Sequence, residues 1–120
     1  MSYIRGIRGA ISVSKNTKDD IVSSTITVLR EIVNLNKIKT VDIASIIFSV
    51  TRDLNAEFPA IAARKLGWSG TPLLCTYEVD VPGSLKKCIR VLMHVNSAKT
   101  QASIKHVYLK DAKRLRPDLG

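Results

Sequence analysis

The sequence LKKCIRVLMHV at residues 85–95 has the alternation of a β-strand. Ile89, Val91, Met93 and Val95 occupy every second position, so we expect this apolar face to lie in a core. Arg90 lies on the opposite face, where burial of its charge is costly unless an anion meets it. Two interpretations follow: an edge strand whose arginine faces water and discourages aggregation, or a strand that brings Arg90 to an anion.

The segments on both sides of this strand have regular patterns of their own. Asn16 or Thr17 is a suitable N-cap for a helix over residues 18–35, in which apolar residues recur at helical spacing. Pro59 is well placed as the first residue of a helix, the residues 60–66 that follow are alanine-rich, and Gly67 is a suitable C-cap. Gly6 and Gly9 lie inside a strand, where glycine often marks a bulge or a close approach of two backbones. Strands are predicted at residues 3–13, 43–51, 73–79, 85–95 and 106–109.

The resulting order, β-α-β-α-β-β-β, predicts an α/β fold with one mixed β-sheet packed by helices. A chain of 120 residues has the length of a single domain, here residues 1–120. The nearly continuous apolar run at residues 43–51 is typical of a central, buried strand. The turn at residues 82–84 predicts a hairpin-like pair between strand 73–79 and strand 85–95. Glu78 and Arg90 are then expected to be neighbours.

The composition restricts the possible partners. The net charge of +9 favours an anionic partner, either a nucleic acid or a small anionic metabolite. The cations are dispersed along the chain and the few aromatic residues do not alternate with them, which weakens the nucleic-acid interpretation. Cys75 and Cys88 match no zinc motif, and reduced thiols indicate a cytoplasmic protein. We find no signal peptide and no apolar run long enough to span a membrane, so we expect no membrane partner.

The usual catalytic motifs do not occur in this sequence. We find no nucleophile elbow, no phosphate-binding loop and no dinucleotide fingerprint. His94 and His106 have no nucleophile at a recognisable spacing, and a strand cysteine such as Cys75 is more often a small buried hydrophobe than a nucleophile. Arginine is the preferred side chain for bidentate binding of carboxylates, and several separate elements carry one. These arginines are Arg8, Arg64, Arg90 and Arg116.

A pocket that combines several of these arginines with Glu78 suits a small dicarboxylate that bears a hydroxyl group.

The sequence also resembles a known family, the monofunctional AroH-type chorismate mutases. The resemblance runs nearly end to end and rests on five segments in order. These are IRGIRGA at 4–10, FPA at 58–60, LKKCIRV at 85–91, HVYL at 106–109 and LRPDL at 115–119.

The resemblance implies a chorismate-mutase-like fold that assembles as a pseudo α/β-barrel homotrimer, with active sites between neighbouring subunits. It implies the rearrangement of chorismate to prephenate, a shikimate-pathway step towards phenylalanine and tyrosine. This pericyclic reaction needs no cofactor, metal, covalent intermediate or proton transfer. The enzyme holds the reactive conformer and stabilises the charge separation of the transition state, and a million-fold acceleration requires about 8 kcal/mol of such stabilisation.

The family's site residues carry over to particular positions of this sequence. The resemblance implies that Arg90 lies beside the ether oxygen, where negative charge develops, and that Glu78 binds the ring hydroxyl. Cys75 is implied to form a hydrogen bond near that hydroxyl, and Arg8 and Tyr108 to hold the enolpyruvyl carboxylate. The implied pocket lining and entrance residues are Phe58, Ala60, Leu74, Leu115, Arg64 and Arg116, the two arginines being at the entrance.

The sequence departs from the family pattern at Ile61, where a lysine is common, and at Leu74, where a threonine is frequent. Two other interpretations remain beside the enzyme. One is a trimeric module of the same fold that binds a small anionic metabolite without catalysis. The other is a nucleic-acid-binding domain, which rests on the net charge alone.

Overall fold

The strand that carries Arg90 lies in the centre of a five-stranded mixed sheet. We describe residues 1–115 in a computed structural model of the chain. The strands are β1 (Tyr3–Ser12), β2 (Ile43–Val50), β3 (Leu73–Tyr77), β4 (Cys88–Ser97) and β5 (Val107–Leu109). Their order in the sheet is β3-β2-β4-β1-β5. β4 is antiparallel to both of its neighbours, whereas β3 is parallel to β2 and β5 is parallel to β1.

Two α-helices accompany the sheet, α1 (Lys18–Asn36) and α2 (Ile61–Lys65), together with three short 3-10 helices at Thr40–Asp42, Gln101–Ser103 and Lys110–Leu115. Thr17 is the N-cap of α1, since its hydroxyl accepts a hydrogen bond of 3.1 Å from the backbone N–H of Asp20. Asn16 instead binds the loop after β2, because its side-chain oxygen accepts hydrogen bonds from the N–H groups of Asn55 and Ala56. α2 is shorter than expected and is followed by Gly67, whose φ of 85° is the left-handed conformation of a helix end.

The core lies between α1 and one face of the sheet. Ile89, Val91, Met93 and Val95 of β4 are all buried there, as their alternation predicts. Gly9 confirms the expectation of a close approach, since a Cβ at this position would lie 2.6 Å from Cδ1 of Ile32 in α1. β1 and β4 pair in continuous register, with no bulge at either glycine. The glycine therefore lets the helix lie directly on β1.

The other face of the sheet, which we call the open face, carries Arg90, Leu92 and His94 of β4. The 3-10 helix Lys110–Leu115 covers one end of it, where a small second cluster is buried. That cluster consists of Ala10, Cys88, Tyr108 and Ala112, with Leu85 and Leu115 packed against it. Farther from this helix, Leu74 and Leu92 of the open face are exposed among residues 1–115.

The predicted hairpin between strands 73–79 and 85–95 is wrong, and so is the edge-strand interpretation of Arg90. β2 lies between β3 and β4, and β4 is hydrogen-bonded along both of its edges. The physical reason is that β3 runs parallel to β2, which requires a long crossover connection, here containing α2. The chain then passes over the end of β2 before it enters the sheet again as β4. β2 is an interior strand, as predicted, but only one of its faces is in the core.

Within residues 1–115, no helix is both long enough and apolar enough to cross a membrane.

Candidate active site

Arg90 and Glu78 form an ion pair on the open face, with 3.2 Å between Nε of Arg90 and Oε2 of Glu78. The expected proximity of the two residues is thus confirmed, although they are not on adjacent strands. The hydroxyl of Ser49 in β2 lies between them and donates a hydrogen bond of 3.0 Å to the same Oε2. Ser49 was not singled out from the sequence, because its position matters only once β2 is known to separate β3 from β4.

The start of β4 is fixed by the loop that follows β2. The carboxylate of Asp53 accepts the backbone N–H of Lys87 at 3.0 and 3.1 Å, which holds Lys87 at a φ of 48°. The side-chain oxygen of Thr51 accepts the N–H of Cys88 at 3.0 Å, and the N–H of Thr51 donates to the carbonyl of Cys88 at 3.1 Å. These contacts set the backbone two residues before Arg90, and so they fix where β4 enters the sheet beside β2.

Arg90 and Glu78 line a cavity of about 240 Å³. The segment between β3 and β4 forms much of its wall, with Val79, Val81 and Leu85 as apolar lining. A guanidinium has five N–H donors, and 47% of the Arg90 side chain is exposed against 28% for Glu78. The cavity therefore offers free donors of a fixed cation beside a carboxylate and an apolar wall, which suits an anionic ligand that also has a hydroxyl group.

Cys88 lies beneath this cavity and is 3% exposed. Burial raises the pKa of its thiol to about 11, because the thiolate would be poorly solvated there. The guanidinium of Arg90 acts in the opposite direction by its charge and by a hydrogen bond. The thiol is therefore neutral near pH 7, and it does not form an ion pair with Arg90.

Tyr108 and Leu115 belong to the cluster around Cys88. Tyr108 is paired with Ala10 in the sheet and is almost completely buried. Leu115 is partly buried and packs against the same cluster. Arg8 is exposed on the open face, opposite Leu92 in the register of β1 and β4. The open face thus carries Arg90, Glu78, Arg8 and Tyr108 together.

A second group of predicted site residues lies elsewhere. Cys75 lies opposite Phe48 in the register of β2 and β3, and both contact the core on the helix side of the sheet. Burial raises the pKa of the Cys75 thiol, while a hydrogen bond with the backbone of Ala60 opposes the shift. A cavity of about 300 Å³ brings Cys75 together with Phe58, which is largely exposed.

The remaining predicted residues are distributed over both sides. Arg64 is exposed at the end of α2, which packs on α1 in the helix layer. Leu74 lies opposite Ile47 in the sheet and is 61% exposed. Arg116 lies outside the described residues. We call Arg90, Glu78, Arg8 and Tyr108 the Arg90 group, and Cys75 and Phe58 the Cys75 group. Within residues 1–115 of one chain, the first group lies on the open face and the second on the helix side of the sheet.

Both histidines have structural contacts away from this cavity. Nδ1 of His94 lies 3.2 Å from the hydroxyl of Ser45, and Nδ1 of His106 accepts the backbone N–H of Arg8 at 2.9 Å. Among residues 1–115 there is no cluster of three or more histidine, cysteine or acidic side chains that could hold a metal ion.

Comparison with known proteins gives concordant matches. The family model of chorismate mutase type I matches residues 4–119. Chorismate mutase AroH of Bacillus subtilis (strain 168) is 47% identical over 118 residues, which cover 98% of this chain and 93% of the relative. Chorismate mutase AroH of Thermus thermophilus is 47% identical over 117 residues, which cover 97% and 96%. The solved structure of a chorismate mutase from Clostridium thermocellum is 58% identical, with a TM-score of 0.90 over 91% of this chain and 97% of that one.

Proposed function

The chain belongs to the chorismate mutase type I family, and on that premise we propose how it converts chorismate to prephenate. The activity is that of an isomerase, and its product leads to phenylalanine and tyrosine. The observation that carries the mechanism is the ion pair of Arg90 and Glu78 beside an open cavity. An ion pair this exposed adds little to stability, about 0–1 kcal/mol, so we assign it a role in binding a ligand and not in holding the fold together.

The reaction breaks the ether C–O bond of chorismate while a new C–C bond forms, and no proton leaves or enters. Negative charge accumulates on the ether oxygen as that bond lengthens. We place this oxygen at the free N–H donors of Arg90, whose interaction then strengthens from ground state to transition state. Because the rearrangement transfers no proton, Glu78 has a binding role in this proposal and not that of an acid or base.

The other residues position the substrate in this proposal. Glu78 accepts the ring hydroxyl and faces the ring, which becomes electron-poor, and Cys75 forms a hydrogen bond near that hydroxyl. Arg8 and Tyr108 hold the enolpyruvyl carboxylate. The lining consists of Phe58, Ala60, Leu74 and Leu115, and the entrance has Arg64 and Arg116.

We further propose that the active form is a homotrimer in which each site lies between two subunits. The Arg90 group is on the open face, whereas Cys75 and Phe58 are on the helix side of the same sheet. In this proposal each site therefore combines the Arg90 group of one chain with Cys75 and Phe58 of a second chain. The uncovered part of the open face, with Leu92 and Leu74 exposed, provides apolar area for such a contact.

A cytoplasmic location fits this proposal, since Cys75 and Cys88 are free thiols.

The experiment that tests the function is direct. Purified protein is mixed with chorismate, without added metal or nucleotide, and the loss of chorismate and the appearance of prephenate are followed. We expect turnover far above the buffer rate and a stoichiometric yield of prephenate. Chorismate loss at the buffer rate, at protein concentrations where the trimer forms, would contradict the proposed function.

A further inference from the structure

We propose that Ser49 is a positioning residue for this reaction: its hydroxyl holds the carboxylate of Glu78 in the orientation that pairs with Arg90. This inference rests on the proposed function and adds to it a residue that does not touch the substrate. The observation is that one oxygen, Oε2 of Glu78, accepts both the Ser49 hydroxyl at 3.0 Å and Nε of Arg90 at 3.2 Å.

The strand register explains why the residue must be at this position. Ser49 is paired with Thr76 of β3 on one side and with Arg90 of β4 on the other. Strands β3 and β4 are separated by β2 and hence lie roughly 10 Å apart. The backbone N–H of Glu78 donates to the carbonyl of Val50 at 2.8 Å, which places Glu78 just past the end of β3. Its side chain reaches Arg90 by passing over β2, and Ser49 is the residue beneath it.

Two flexible side chains do not hold one geometry by themselves when both are partly exposed. The Arg90–Glu78 pair loses side-chain entropy when it forms and is weakened by water. A hydrogen bond from a strand residue to the carboxylate is charge-assisted and comes from a rigid element. With Oε2 occupied by Ser49 and Arg90, the other oxygen, to which no residue of 1–115 donates, is left for the substrate hydroxyl.

The size of Ser49 is part of the inference. The side chain is half-buried between Glu78 and Arg90 on the open face. A hydroxymethyl group is small enough to leave the two charged groups in contact above it. Threonine keeps the hydroxyl and adds only one methyl group, so it serves as the conservative variant.

The test compares Ser49→Ala with a matched control, Ser45→Ala. Ser45 is on the same face of the same strand and is also paired with β4, but its hydroxyl lies 3.2 Å from Nδ1 of His94 instead of contacting Glu78. For Ser49→Ala we expect kcat for chorismate to fall about tenfold with a change in KM of less than about threefold, because orientation is lost while the charges that bind substrate remain. Ser45→Ala keeps wild-type kcat, and Ser49→Thr recovers most of it.

The double variant with Glu78→Ala, which has no acceptor for the Ser49 hydroxyl, shows whether Ser49 acts through Glu78. If it does, adding Ser49→Ala to Glu78→Ala changes kcat by less than about twofold, since the two losses are not additive. Far-ultraviolet circular dichroism and thermal melting establish that each variant is folded.

Three results would overturn the inference alone, with the wild type active. These are an unchanged kcat in Ser49→Ala, an equal loss in Ser45→Ala, and a further loss of more than about twofold in the Glu78→Ala background. A wild-type protein that does not convert chorismate would overturn the proposed function itself, so the two failures are distinguishable.

Discussion

Nε of Arg90 lies 3.2 Å from Oε2 of Glu78, although the strands that carry them to this point are not neighbours in the sheet. Arg90 is in the middle of the sheet, on a strand fixed along both edges, and Glu78 reaches it over β2. This arrangement places a cation on a strand that is hydrogen-bonded along both edges and leaves about half of its side chain accessible. A rigid, accessible cation is what electrostatic stabilisation of a transition state requires.

The first prediction concerns sites shared between subunits. Arg90→Ala removes the guanidinium that lies beside Glu78 on the open face, and Phe58→Asp puts a carboxylate beside Cys75, where it repels an anionic substrate. Each variant alone should lose chorismate turnover. When the two are unfolded and refolded together in equal amounts, roughly one site in four over all the trimers combines two intact groups, so activity should return.

The control for this mixing experiment is a chain that carries both substitutions, which should stay inactive under the same treatment. Sedimentation measurements establish that the mixed trimers form. Mixed trimers that remain as inactive as their parents would show that each site is built from one chain.

The second prediction concerns the contact of β1 with α1. Gly9→Ala would place a Cβ 2.6 Å from Cδ1 of Ile32 and 3.2 Å from Cγ2 of Val28, so these buried side chains or the helix that carries them have to move. We expect a loss of about 1–3 kcal/mol in the free energy of unfolding, as for overpacking of a core. Gly6→Ala is the matched control on the same strand, because its nearest contact is Cδ1 of Leu92 at 3.8 Å. Equal denaturant midpoints for the two variants would contradict the proposed packing.

The third prediction is a pH dependence that arises from Cys88. Its pKa is raised from 9.0 to about 11 in the folded protein by burial. The unfolded chain therefore releases the thiol proton first, and the stabilisation that is complete below pH 9 is lost as the pH rises towards 11. The loss amounts to roughly 3 kcal/mol for a shift of this size.

Cys88→Ser has no titrating thiol and serves as the reference, since every other group of the chain is unchanged. The difference in unfolding free energy between the wild type and this variant should shrink between pH 8 and pH 11. A difference that stays constant over that range would mean that the Cys88 thiol ionises equally well in the folded and unfolded states.

Much of the fold follows from local patterns in the sequence. The alternation of β4, the helical spacing of α1 and the N-cap at Thr17 depend on residues close together in the chain, and the structure confirms each of them. The close approach at Gly9 was expected for the same reason. The family resemblance is confirmed by the family match and the relatives.

The order of the strands could not be obtained in this way. The short turn at residues 82–84 favours a hairpin. Strand pairing, however, depends on which strand edges form hydrogen bonds with each other, and these contacts join residues far apart in the sequence. Glu78 and Arg90 were expected to meet through that hairpin, and they meet across β2 instead. Ser49 could not be found without the strand order, since only the interposed β2 places its hydroxyl beside Glu78.

The central claim is that Arg90 stabilises charge that develops on the substrate, and the most direct measurement is the kcat of Arg90→Lys with chorismate. Lysine keeps the positive charge but has neither the planar donors nor the reach of a guanidinium. We expect kcat to fall by roughly a hundredfold or more, with the melting temperature unchanged. Arg30→Lys, an exposed position on α1, is the control and should keep wild-type kcat. An Arg90→Lys variant that retains near-normal kcat would contradict the account.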